Sequence, residues 1–249
     1  MADLTDLIVR GWGVLSRWAV PVMMALAYTL LVATSETDTR GKEWMAAGLV
    51  LVLIVWFAFR ALAAAAGLSR ALSVGDTAAL TEIADRAPAR RRRPAARARP
   101  LIARGFAQLL RGEHAAALAA LDEARPGPEL QPLVAAARIV ACVELGRACD
   151  PADPAAASAP RTPWLGWLAG GAIAWRDGRL DDAAPLLARV IDDIRAGSAL
   201  RAIAHLYAAR IADARAAPAE AGRHRAAAAD LAAPDAAWLR GAAPPPHAA

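Results

Sequence analysis

The stretch "RGEHAAALAALDEARP", residues 111–126, sets Gly112, Ala117, Leu121 and Ala124 at fixed intervals, and "GRLDDAAPLLARV" sets Gly178, Ala183, Leu187 and Val190 at the same offsets of five, nine and twelve. A spacing that places a turn residue, a small residue and a large apolar residue in the same order twice constrains the fold more than the alanine content around it. Downstream of Arg60 the apolar residues fall at helical spacing in stretches of 12 to 18 positions, punctuated by glycine, aspartate or proline. The region reads as all-α with short turns. Its turn glycines, Gly75, Gly112, Gly146 and Gly178, stand 37, 34 and 32 positions apart, a period that stacked helix-turn-helix units produce.

On these residues the chain resembles the tetratricopeptide repeat (TPR). The best-matching unit is Trp167, Gly170, Gly171, Ala174, Gly178, Ala183, Leu187 and Val190; in the unit before it Leu101, Arg104, Gly105, Gln108, Gly112, Ala117, Leu121 and Ala124 take the matching places. A glycine partway along the first helix and an alanine early in the second let two backbones approach closely, while larger residues fill the gap to the next hairpin. The resemblance implies a TPR-like antiparallel helical-hairpin solenoid over 61–233. The unit after Gly146 is degenerate, because Pro151 and Pro154 fall where a second helix would run, so 147–163 is expected to be a loop. Residues 234–249, ending in "GAAPPPHAA", are expected to be a disordered tail.

Ahead of the repeats, "WAVPVMMALAYTLLVAT" and "WMAAGLVLVLIVWFAF" carry no charge. At ~1.5 Å per residue each comes close to the roughly 30 Å hydrocarbon core, and Arg17 and Arg60 can extend them by snorkelling. Residues 1–60 thus read as a membrane anchor with two transmembrane helices, about 18–34 and 44–60, and with Trp12, Trp18 and Trp44 at the interfaces. The aspartates of "MADLTDLIVR" and the lack of a small-x-small site argue against a cleaved leader. Arginines gather before the first span and after the second, which sets both termini in the cytoplasm. Lys42 is the only lysine, and so arginine- and alanine-rich a chain looks like the product of a GC-rich bacterial genome. The expected location is therefore a bacterial inner membrane.

No nucleophile with its base, no carboxylate pair in an apolar setting, no phosphate loop and no metal-ligand spacing stands out, so the expectation is a chain that is not an enzyme and has neither cofactor nor metal. Cys142 and Cys149, separated by six residues, give neither a disulfide framework nor a zinc motif. His114, His205, His224 and His247 read as surface or packing residues. The densest charge is "RAPARRRRPAARARP". Descending from the Gly75 turn, its Arg90, Arg91, Arg92 and Arg93 would reach anionic headgroups. Nucleic acid is not expected, because no aromatics interleave with the run.

The function these features imply is a membrane-anchored scaffold that recruits or organises a protein partner at the cytoplasmic face. The alternative is an accessory subunit that assembles through its spans. Candidate partner contacts are Trp164 and Trp175, with Arg138 and Arg201 as polar neighbours, while Trp167 takes a packing place. The packing set is Gly105, Gly112, Ala117, Leu121, Trp167, Gly171, Ala174, Gly178, Ala183 and Leu187.

Overall fold

The computed structural model describes residues 66–85, 94–150 and 152–241, together with five separate positions, 48, 50, 53, 54 and 56. The chain divides into two units, Met1–Ala64 and Ala65–Ala249. In the first, the five described residues are helical, and Val50 and Ile54, one helical turn apart, are exposed at 54% and 59%. The rest of the two expected spans lies outside the described residues, as do Arg90 to Arg93. Among the described residues no helix is long and apolar enough to cross a membrane.

The described part of the second unit is helical throughout, with turns between. Helix α1 covers 66–74, α2 Thr77–Asp85, α3 Pro94–Arg111, α4 His114–Glu123 and α5 Gln131–Glu144. These are followed by α6 Asp153–Ala157, α7 Pro163–Arg176, α8 Leu180–Asp192, a 3-10 turn Ile194–Ala196, α9 Gly197–Ala214 and α10 Pro218–Leu231. Four neighbouring pairs, α2 with α3, α3 with α4, α7 with α8 and α9 with α10, pack closely.

Five helix ends close on a left-handed residue, four of them with the same pair of hydrogen bonds, while after α1 Gly75 N and Asp76 N both donate to Ala71 O. After α3, Gly112 donates its N–H to Leu109 O and Glu113 donates to Gln108 O; after α7, Gly178 donates to Trp175 O and Arg179 to Ala174 O. This double bond pattern recruits carbonyls that the helix leaves free, and it requires a left-handed residue. Gly112 (φ +85°) and Gly178 (φ +74°) supply it, as do Gly75 and Gly146. After α9 the same place is taken by Ala216, the one non-glycine residue at positive φ (+56°) among those described. An L-residue there costs roughly 1–2 kcal/mol. Gly178 has open space around it, so its part is conformational and not the packing role expected of it.

Within the hairpins, two glycines set the helix separation. A Cβ built on Gly105 would lie 2.7 Å from Leu121 Cγ and 3.3 Å from Ala117 O; one on Gly171 would lie 2.8 Å from Leu187 Cγ and 3.6 Å from Ala183 O. Leu121, Leu187, Ala117 and Ala183 are buried to 1% exposure or less. Since a leucine fills the notch left by the missing side chain, the backbone of one helix rides on the side chain of the next. Ala174 is buried in the same seam. Trp167 is only half-buried, its ring under the Arg189 guanidinium at 5.8 Å.

Two segments depart from the sequence-based expectation. The 147–163 stretch carries helix α6, which packs on α5 and α7, with Asp153 and Ala157 buried. Pro154 stands in its first turn, where a missing N–H breaks no helical bond. The tail expected from 234 onward is folded as far as 241: Ala236, Trp238 and Leu239 are buried, and the turns Ala236 N to Ala233 O and Leu239 N to Ala236 O shape it. "AAWLR" precedes the proline run, and its tryptophan has enough apolar area to pin the chain. Trp238 covers the Gly112 turn, and Asp235 accepts a hydrogen bond from the Thr77 hydroxyl.

The first helices of the hairpins turn their apolar faces to one another, so that Phe106, Leu109, Val140, Leu168 and Ile203 surround a void of only about 10 Å³. The unit's two ends also touch. Ser198 Oγ is 3.2 Å from both Ser73 O and Val74 O, and a Cβ on Gly197 (φ +74°) would fall 2.8 Å from Ser73 O.

Candidate functional site

Where the inner helices splay apart, a cavity of about 420 Å³ remains. Its walls are Leu72 of α1, Leu130 and Leu133 at the start of α5, Trp164 and Leu165 at the start of α7, and Leu200 of α9. Arg99 and Arg195 bring positive charge to it, and Glu129 one negative charge. The Arg195 guanidinium lies over the Trp164 ring at 5.1 Å and is held by Asp193, with Nε to Oδ1 at 2.9 Å and Nη2 to Oδ2 at 2.7 Å. Those bonds lower the Asp193 carboxyl below its ordinary pKa and raise that of Arg195. An apolar floor beside a fixed cation suits an apolar side chain carrying a nearby negative group.

The other three candidate contacts each have a partner within the unit. Trp175 packs on Tyr207 (ring centroids 5.3 Å) with the Arg210 guanidinium 5.1 Å from its own ring. Arg138 bridges Asp122 at 2.9 Å and Asp153 at 3.4 Å, tying α4, α5 and α6 together. Arg201 donates from Nε to Ile191 O at 2.8 Å, closing the end of α8. Of the four, Trp164 alone borders the cavity.

A buried polar knot, absent from the sequence reading, lies between α5 and α9. Glu144 accepts from Tyr207 Oη at 2.8 Å and from Arg210 at 2.5 and 3.0 Å, while His114 Nε2 stands 3.8 Å away. Desolvation lifts the Tyr207 hydroxyl well above its ordinary pKa. The His114 imidazole is pushed down, first by burial and then by Arg210, against an upward pull from Glu144. Trp238 meets the His114 ring edge-on at 4.9 Å. Only the spacing of Glu144 before a turn glycine hinted at this knot, since its partners lie more than sixty residues downstream.

The thiols are not poised for chemistry. Burial raises Cys142 to about 11 and also raises Cys149, although Arg176 opposes the rise at the latter. Among the described residues no group of three or more histidine, cysteine or carboxylate side chains could hold a metal ion. No family model, curated protein or solved structure matches the chain.

Proposed function

We propose that the chain is a membrane-anchored, non-catalytic scaffold. Residues 1–60 would fix it in a bacterial inner membrane, and the helical unit, patterned like tetratricopeptide repeats, would recruit a partner protein on the cytoplasmic side. The observation that carries this reading is the Trp164 cavity. It is an apolar recess with a tryptophan wall and a held guanidinium, in a unit whose inner helix faces are otherwise packed on one another. An aromatic wall beside an arginine is a common anchor for a partner side chain. The exposed Val50 and Ile54 support the anchor, and Arg90 to Arg93 are proposed to hold anionic headgroups next to it.

Crosslinking in native membranes, with identification of the captured protein by mass spectrometry, tests the reading. Full-length chain should capture a partner that Trp164→Ala loses, whereas Trp175→Ala, which strips a side chain from the Tyr207 contact, should retain capture wherever the chain still folds. Equal capture by Trp164→Ala removes the cavity from the account. The exposed apolar pair in the first unit also favours a second reading, assembly with another membrane protein through the spans. Exchange of both spans for unrelated ones separates the two, because a scaffold keeps its partner and a span-assembled subunit does not.

A further inference from the structure

The last hairpin joins two histidines that stand nineteen positions apart in sequence. His205 Nδ1 on α9 and His224 Nδ1 on α10 are 2.9 Å from each other, with ring centroids 5.2 Å apart. Both rings are half-buried, each with part of its surface open to solvent. Behind His224, its other nitrogen Nε2 faces Glu220 Oε1 at 3.9 Å, one helical turn away. At that distance the carboxylate adds negative charge behind the ring without accepting a hydrogen bond from it.

We propose that His205 and His224 form a binding site for a late first-row divalent cation such as Zn²⁺, with two imidazole ligands from the protein and water in the remaining positions. Imidazole suits Zn²⁺, Cu²⁺ and Ni²⁺ among the divalent ions. Tetrahedral zinc with bonds of 2.0–2.1 Å sets two ligating nitrogens roughly 3.3 Å apart. The two nitrogens must therefore move apart by about 0.4 Å, and both rings must turn so that their lone pairs converge on the ion, side-chain rotations on helices that already pack closely. In the metal-free pair one Nδ1 donates its proton to the other; on binding, that proton moves through solvent to Nε2 of the same ring, and both rings stay neutral. The charged groups around the pair are Glu220, Asp192 and Arg201, and Arg201 is engaged with Ile191 O.

Calorimetric titration of the purified full-length chain with ZnCl₂ alone tests the site. One saturable equivalent is expected in wild type, at least tenfold weaker in His224→Ala. His205→Ala should weaken binding to the same degree, because each imidazole supplies one of the two protein ligands. Circular dichroism of each variant confirms that the helices persist. No saturable binding up to about 1 mM, the millimolar range of negligible affinity, overturns the proposal. Undiminished binding by a folded His224→Ala overturns it too, placing the zinc on other residues.

Discussion

The α3–α4 and α7–α8 hairpins make the same close contact, yet they differ in what lies over their turns. In both, a glycine of the first helix receives a leucine of the second, Gly105 with Leu121 and Gly171 with Leu187, at distances that agree within 0.1 Å for the nearest atom. The Gly112 turn of the first hairpin lies under Trp238, whereas nothing stands within 4 Å of a side chain built on Gly178. The seam of a hairpin is thus a local matter, decided by residues sixteen positions apart. The cover is a long-range matter, decided by a segment more than a hundred positions away. Local packing should survive changes that strip the cover, and the converse should fail.

The largest effect is expected from Trp238→Ala, which removes a buried indole from the first hairpin only. A loss of about 3–5 kcal/mol follows from truncating a large buried aromatic. Urea unfolding measures it, and amide exchange should quicken around Gly112 but not around Gly178. If both turns respond alike, the two hairpins are coupled more tightly than their contacts indicate.

Next in size is Gly105→Ala, whose new methyl group would press on Leu121 Cγ, a branch point and not a flexible end. Overpacking of about 1–3 kcal/mol, reduced by about 1 kcal/mol of helix propensity, leaves a net loss of up to about 2 kcal/mol. Gly171→Ala should cost somewhat less, since the neighbouring Ala183 O stands off at 3.6 Å against 3.3 Å for Ala117 O. Leu121→Ala combined with Gly105→Ala should be less damaging than the sum of the two, a cycle that isolates the contact. Additive losses would mean that the glycine does not seat the leucine.

A pH series sharpens the comparison at the first hairpin, because His114 opens α4 and nothing like it opens α8. Its folded pKa lies below the ordinary 6.5, with burial as the main cause. The unfolded chain therefore takes up the proton first. Stability is full above the unfolded value and declines as pH falls from there through the lowered folded value. His205, also lowered, adds to the slope. Replacing His114 with leucine should flatten part of the decline between neutral pH and the acid side, as read from urea midpoints. An unchanged slope would assign the whole effect to His205.

Smallest is Ala216→Gly, at the turn after α9. Relief of the left-handed strain, roughly 1–2 kcal/mol, outweighs the added freedom of glycine in the unfolded chain, about 0.4–1 kcal/mol. A gain of about 0.5–1 kcal/mol should appear as a higher melting temperature, and no gain would mean that Ala216 is held without strain.

What could be read from the sequence follows the same division between local and distant. Helical spacing, the turn glycines at 75, 112, 146 and 178, and the alanine and leucine offsets all report neighbours within one hairpin, and the helical character they indicate is present. Helix α6 was hidden because prolines were weighed as breakers, while at the first turn of a helix they are tolerated. Trp238 and the Glu144 knot bring together residues from separate hairpins, and no period records such meetings; the His205–His224 pair lies within the last hairpin, outside the glycine, alanine and leucine offsets. Place on a first helix points to Trp175 as a partner contact, with Arg138 and Arg201 as its polar neighbours. Each has an internal partner that only three dimensions disclose, so Trp164 is the one candidate contact beside an open recess.

The meeting of Ser198 and Gly197 with Ser73 carries a further consequence. An open array can lengthen or shorten by duplication or deletion of a module at its free end, and its neighbours scarcely notice. Here the leading and trailing modules abut, so an added copy would have to prise apart a junction where glycine is the only residue that fits. A helix pair could be added or lost only if this junction were remade.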